Sequence, residues 1–184
     1  MRPAPRRVNI GLLEKKHDAE FMKASHGVEL LSGACELLAY LTRRGIRWAA
    51  IATTGSVKQT TRLLKNLDIP PDVPVVTGDD VAKATPSPEV FVLAADRLGV
   101  PIGDCIVTGD SVWDILAAGR KSALGVGILS GGYSQEELER AGAFRVLRRH
   151  AAPGTFSAAY IMFSSTSTAV CSVFSNLENV RFRR

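Results

Sequence analysis

Cysteine is scarce in this chain. Cys35, Cys105 and Cys171 are the only three in 184 residues, far apart and without a Cys-x-x-Cys pair. That excludes a disulfide framework or a cysteine-built zinc site and suits a reducing compartment. Aromatic residues are few, at 7%, and no basic stripe is interleaved with them. The formal charge of +5 comes from scattered clusters: Arg6-Arg7, Arg43-Arg44, Arg148-Arg149 and the closing Arg181, Arg183 and Arg184. A nucleic-acid groove would gather such charges on one face, so no nucleic-acid partner is expected. His17, His26 and His150 have neither the context of a catalytic triad nor metal-ligand spacing. Long hydrophobic runs are missing too. The N-terminal "MRPAPRRVNIGLLEKKHD" offers only "VNIGLL", short of the roughly 7–15 apolar residues of a signal peptide. No residue from Ala151 to Leu177 is charged, yet "AAYIMFSSTSTAVCSVF" is too short and too rich in hydroxyls for a span of about 20 apolar residues. The expectation is a cytoplasmic protein with no membrane partner.

What is present is a rhythm. Hydrophobic residues make up 46% of the chain, enough for the core of one domain. Residues 30–147 alternate helix-like and strand-like segments. "ELLSGACELLAYLTRRG" sets Leu30, Leu31, Ala34, Leu37, Leu38 and Leu41 on one helical stripe, with Gly45 placed to end it. "IRWAAIAT", "VPVVTG", "CIVTGD" and "LGVGILSGG" are short apolar runs of the buried parallel-strand kind, and "FRVL" is a fifth, edge strand. Between them, Ser56 is placed to cap "VKQTTRLLKNL". Ser87-Pro88 is placed to open "EVFVLAADRLG", and Ser134 with Glu137 forms a capping box. Repeated strand–helix–strand units predict an α/β, Rossmann-like parallel sheet with helices on both faces. Trp48 and Trp113 are expected to pack rather than stack on a ligand.

The chemistry centres on "CIVTGDSVWDILAAG". Asp110 follows a buried strand and Gly109, and Asp114 falls in the first turn of the next helix. In open α/β sheets ligands bind outside the carboxyl ends of strands. Two hard carboxylates there suit Mg²⁺, which takes oxygen ligands and keeps several waters. A helix cap and a dipole-complementing first-turn acid would use the same residues, so the spacing alone leaves both readings open.

The stretch "VTGDSVWDILAAGRKSALGVGILSGGYSQEELERAGAFRV" resembles the C-terminal half of a haloacid dehalogenase-superfamily hydrolase of the phosphoglycolate phosphatase-like branch. The similarity runs from about residue 15 to 147. It implies that Asp110 ligates Mg²⁺, that Asp114 supports the metal through water, and that Thr53, with Thr54 after it, binds the transferring phosphate. It further implies Mg²⁺-dependent hydrolysis of a small phosphorylated metabolite. The family's Lys-Pro motif meets "DDVAKATPSPEVF", where Thr85 stands in place of the lysine; Lys83, two residues earlier, either reaches in as countercharge for the phosphate or is an ordinary surface lysine.

The resemblance also marks what is missing. The family's nucleophile and acid/base form an Asp-x-Asp at the end of its first core strand, and this sequence has no Asp-x-Asp anywhere. No nucleophile is identifiable, so the expectation is an impaired hydrolase, N-terminally truncated and lacking the first central strand and most of the cap. Residues 1–29 would then be a remnant of a cap or linker helix ("EKKHDAEFMKA"), 30–150 the core domain, and 151–184 a divergent, poorly ordered tail of the sort a frame-shifted gene fragment would carry. A missing central strand leaves a hole or forces two strands together, and exposed edges invite self-association through the incomplete sheet. The tail or "RVNIGLL" is available to fill the gap, with no register legible for either. The competing reading is a non-catalytic remnant that binds metal or phosphate weakly or associates with another chain. A receiver-like or flavodoxin-like domain would need an acidic cluster after its first strand, which is absent.

Overall fold

A computed structural model describes residues 10–24, 34–52, 57, 61, 64, 69–147 and 169–173. In chain order they form helices α1 (Ile10–Ala24) and α2 (Ala34–Arg43), strands β1 (Trp48–Ala52) and β2 (Val75–Thr77), and helix α3 (Glu89–Leu98). Then come β3 (Cys105–Gly109), α4 (Val112–Gly119), β4 (Leu124–Ile128), α5 (Gln135–Arg140), β5 (Arg145–Leu147) and β6 (Ala169–Val173). The sheet is parallel throughout, in the order β2-β1-β6-β3-β4-β5. The Rossmann-like α/β architecture expected from the alternating segments is therefore present.

Both faces are covered, and the strands show it. All five residues of β3 are buried. Successive side chains point to opposite faces, so neighbours on one strand serve different cores. Val107 packs with Phe91, Ala94, Ala117 and Ala118 of α3 and α4. Ile106 packs with Leu38, Leu41 and Trp48 on the side of α2. Trp48 is 3% exposed and its indole N–H donates to Thr42 Oγ1 at 3.1 Å, so it is a packing residue as expected. Trp113 is not: on α4 it is 49% exposed.

Helix boundaries largely follow the sequence. Gly45 and Gly99, both at φ 66°, follow α2 and α3, and the Ser134–Glu137 capping box opens α5. At α3 the boundary shifts by one: Pro88 is the cap residue, while Ser87 Oγ donates instead to Glu89 Oε1 at 3.2 Å. "FRVL" gives an edge strand among the described strands, paired with β4.

At the centre of the sheet, of the two segments available to fill the gap between the strand ending at Ala52 and the one ending at Gly109, it is the tail that does so: β6, from within residues 151–184, lies between them. It pairs with β1 over Trp48–Ile51 and with β3 over Cys105–Thr108. The physical reason is backbone satisfaction: two buried strand edges present rows of N–H and C=O groups that need partners. "AVCSV" is uncharged and rich in β-branched residues, which suits a strand enclosed on both sides. The rest of 151–184 lies outside the described residues. At the other end, described residues 10–24 form α1 and contribute no strand.

Candidate active site

The strand order reverses around the centre. From β1 the chain proceeds outward to β2, and from β3 it proceeds the other way through β4 to β5. Such a reversal opens a crevice at the carboxyl ends of the strands, where ligands bind in this architecture. Asp110 stands there, directly after β3, and is 7% exposed. Asp114, in the first turn of α4, is fully buried.

Local bonds orient both carboxylates. Ser111 caps α4: its Oγ accepts from the Asp114 amide at 3.3 Å. In return Asp114 Oδ2 accepts from Ser111 Oγ at 2.7 Å and from the Ser111 amide at 3.3 Å. This reciprocal box holds Asp114 against the start of the helix, where the amide dipoles favour negative charge. Asp110 Oδ2 accepts from Ser130 Oγ at 3.0 Å, across from the turn after β4. The helix-cap reading of Asp110 does not hold, because Ser111, one residue later, is the cap; Asp114 is the first-turn acid, as expected.

Two glycines make the arrangement possible. A Cβ on Gly131 would collide with the Asp110 carbonyl oxygen and stand 2.7 Å from its Cγ. A Cβ on Gly109 would stand 2.5 Å from Asp114 Cβ and 2.9 Å from its Oδ2. Gly131, in the "SGG" turn after β4, thus borders Asp110 at contact distance. Ser130 is a site residue that the sequence reading did not single out. Its only signal was its place before "GG", since a contact across 20 residues leaves no local trace.

Would Mg²⁺ fit? The donors are two buried carboxylates in a glycine-lined cradle, chemistry that suits a hard cation retaining several waters. Burying both carboxylates is costly, and a cation offsets that cost. They do not make a complete protein cage: among the described residues no cluster of three or more His, Cys, Asp or Glu occurs.

Of the other expected site residues, Lys83 and Thr85 are described. Thr53 and Thr54 lie outside the described residues. β1 ends at Ala52, on the same sheet edge as Gly109, since Ala50 and Thr108 both pair with Ser172. Two strand spacings, about 10 Å, separate β1 from β3. Lys83 is exposed in the turns before α3, where its backbone amide donates to Glu89 Oε2 at 3.1 Å. Thr85, in the place expected of the lysine, is partly buried in the same stretch. Arg120, just past α4, bonds the Pro86 carbonyl at 2.5 Å and so ties that stretch to the helix carrying Asp114.

Below β2, Asp80 Oδ2 accepts from the Thr77 amide (2.8 Å) and hydroxyl (3.0 Å), while Oδ1 meets Arg97 Nη2 at 2.7 Å. These bonds, the backbone one foremost, hold its carboxyl below the ordinary value of 3.8. No helix among the described residues is long and apolar enough to cross a membrane.

Similar proteins share both the sequence and the fold. The chain is 32% identical over 106 residues to hexitol phosphatase A of Escherichia coli, covering 54% of this chain and 49% of that protein. It is 33% identical over 129 residues to a phosphoglycolate phosphatase of Rhodospirillum rubrum, covering 70% of this chain and 53% of that protein. It thus spans about half the length of these curated relatives. A crystal structure of a hydrolase from Pseudomonas syringae superposes with a TM-score of 0.69 at 44% identity, covering 74% of this chain and 62% of that one. The family description haloacid dehalogenase-like hydrolase matches residues 6–120, which include β1, β3, Asp110 and Asp114. With the reversed strand order and the buried Gly-Asp-x-x-x-Asp at its crevice, the chain belongs to the haloacid dehalogenase-like hydrolases.

Proposed function

We propose that this chain is a phosphatase-type core that takes Mg²⁺ and a small phosphorylated metabolite at the carboxyl edge of its sheet, with impaired turnover. The observation that carries the reading is the buried pair Asp110 and Asp114 at the crevice, held by Ser130 and Ser111 in a cradle that Gly131 and Gly109 keep open. Asp110 would ligate Mg²⁺ directly and Asp114 through water. Bound there, Mg²⁺ would neutralise charge on the phosphate oxygens. Thr53 and Thr54, following β1, would hydrogen-bond the phosphate. Lys83, exposed in the turns before α3, would supply countercharge.

Impairment follows from the missing nucleophile. Covalent catalysis needs a carboxylate to form the acyl phosphate, and no Asp-x-Asp occurs in the chain. The sequence leaving central strand β6 runs Phe174-Ser175-Asn176, with no aspartate. The same fact favours the second reading, a non-catalytic member that binds metal and phosphate only. Self-association through the sheet would use β2 or β5, the edges among the described strands. The cytoplasm is the compartment that three widely spaced cysteines suit.

The deciding experiment is release of p-nitrophenol from its phosphate ester by folded, purified chain in Mg²⁺, beside Asp110→Asn and a chelated sample. Mg²⁺ binding is followed in parallel by amide chemical shifts. The expected result is Mg²⁺ binding that Asp110→Asn abolishes, with no turnover above the controls. Turnover that both controls abolish would refute impairment and require an unrecognised nucleophile. Absence of Mg²⁺ binding would overturn the reading as a whole.

A further inference from the structure

Each carboxylate at the crevice has one oxygen engaged by a serine hydroxyl, and the two serines come from different parts of the chain. Ser111 follows Asp110 directly and holds Asp114 Oδ2 at 2.7 Å. Ser130, 20 residues beyond Asp110, holds Asp110 Oδ2 at 3.0 Å. This second bond joins two strand ends. β3 and β4 are parallel neighbours, with Gly109 opposite Gly127, so the chain leaving β4 runs beside the chain leaving β3.

The turn that carries Ser130 is itself fixed. The Leu129 amide donates to the Leu147 carbonyl of β5 at 3.0 Å, and the Ser130 amide donates to the Ile128 carbonyl at 2.9 Å. One residue on, Gly131 lies so close that a Cβ there would collide with the Asp110 carbonyl oxygen. The hydroxyl therefore does not travel with the carboxylate, and turning Asp110 away costs the bond. Divalent cations differ in what they ask of such a group. Mg²⁺ takes about six ligands in near-octahedral geometry, several of them waters, whereas Ca²⁺ takes roughly six to eight oxygens and accepts both oxygens of one carboxylate. A cation that takes one oxygen of Asp110 leaves the Ser130 bond intact. One that takes both must break it. No cluster of three or more His, Cys, Asp or Glu occurs among the described residues, so a larger shell would draw on second carboxylate oxygens or on water.

From this we propose that Ser130 is a positioning residue that sets metal selectivity: by holding Oδ2 it presents Asp110 to a cation through one oxygen, which favours Mg²⁺ over Ca²⁺. The inference rests on the reading of Asp110 and Asp114 as a divalent-cation site, and it adds a reason for which ion is taken. The role needs a hydroxyl on a fixed turn and no charge.

The test uses the full chain with Mg²⁺ and Ca²⁺ as separate probes, for wild type, Ser130→Ala and Ser130→Thr. Each titration is read from the Gly109 and Ser111 amide shifts. Ser130→Ala is expected to weaken Mg²⁺ binding about tenfold, the scale on which the hydrogen-bond partners of metal ligands act. Ca²⁺ binding is expected to hold or tighten, because the released oxygen can join its shell, so the Mg²⁺-to-Ca²⁺ affinity ratio falls about tenfold or more. Ser130→Thr, which keeps the hydroxyl, restores the ratio. A merely structural role would weaken both ions together and leave the ratio unchanged. That result, or an alanine variant that binds both ions as wild type does, overturns the selectivity role while the cation site stands. A threonine variant with the alanine ratio overturns it likewise. If wild type binds neither ion, the reading of the two carboxylates as a cation site falls, and the selectivity role with it.

Discussion

The half of the sheet running from β3 to β5 and the strand at its centre are built in opposite ways. Residues 105–147 form a contiguous run in which each element follows its neighbour in sequence and packs beside it. Ser111 and Ser134 start the helices, and Asp110 and Asp114 arise where strand gives way to helix. β6 has none of this. It enters from residues 169–173 and pairs with β1 and β3, whose sequence positions are 48–52 and 105–109. Local chemistry specifies the first region. In the second, long-range pairing alone selects the segment. The contrast teaches that a site can be well marked in sequence while the strand beside it carries no mark at all.

The largest effect should come from the centre. Cys171→Pro removes a ladder hydrogen bond from a strand paired on both sides, and its expected cost is about 3 kcal/mol or more. Val146→Pro, on edge strand β5, should cost less. Urea unfolding of the two variants checks this. Equal stability would mean that β6 is not an integral strand.

Next is the site itself. Gly131→Ala drives a methyl into the Asp110 carbonyl oxygen and should destabilise by about 1–3 kcal/mol. It should also weaken Mg²⁺ binding as Asp110 shifts. Amide-shift titration with Mg²⁺ reads the second effect, and an unchanged affinity would detach Gly131 from the site.

A smaller effect tests the caps. Ser111→Ala should cost about 1 kcal/mol, with Ser134→Ala at or below that because its box is exposed. Reversal of the two in thermal melts would show that the buried box at Asp114 is not a stabilising element.

The smallest is a pH effect at Asp80. Its carboxyl is held below the ordinary value of 3.8, chiefly by the Thr77 amide and then by Arg97. A depressed folded value means that the ionised form is favoured by folding. Its contribution to stability is therefore complete above the ordinary value and is lost as pH falls through the lower folded one. Asp80→Asn should accordingly be less stable than wild type at neutral pH, with the gap closing in acid. A gap independent of pH, in urea titrations, would contradict the assignment.

Much of the site was legible because its signals are local. Asp110, Asp114, the Ser134 box and the five strands of 48–147 could each be read from a few neighbouring residues. Ser130 could not, since it acts on a residue 20 positions away. Thr53 and Thr54 were read from the end of an apolar run, and they fall outside the described residues. The exposure of Trp113 was missed because helical periodicity next to a site does not say which face the crevice leaves open.

By itself the sequence determined the parallel α/β class, the caps and glycines that end its helices, and the two carboxylates at the end of β3. It also shows that no Asp-x-Asp occurs among these 184 residues. Each of these depends on residue type and short spacing, which the chain carries wherever it folds. Tertiary structure alone decided which segment fills the space between β1 and β3 and which serine reaches Asp110. Those outcomes depend on satisfying backbone and carboxylate groups across long stretches of chain, and many uncharged segments could have met that need equally well on paper.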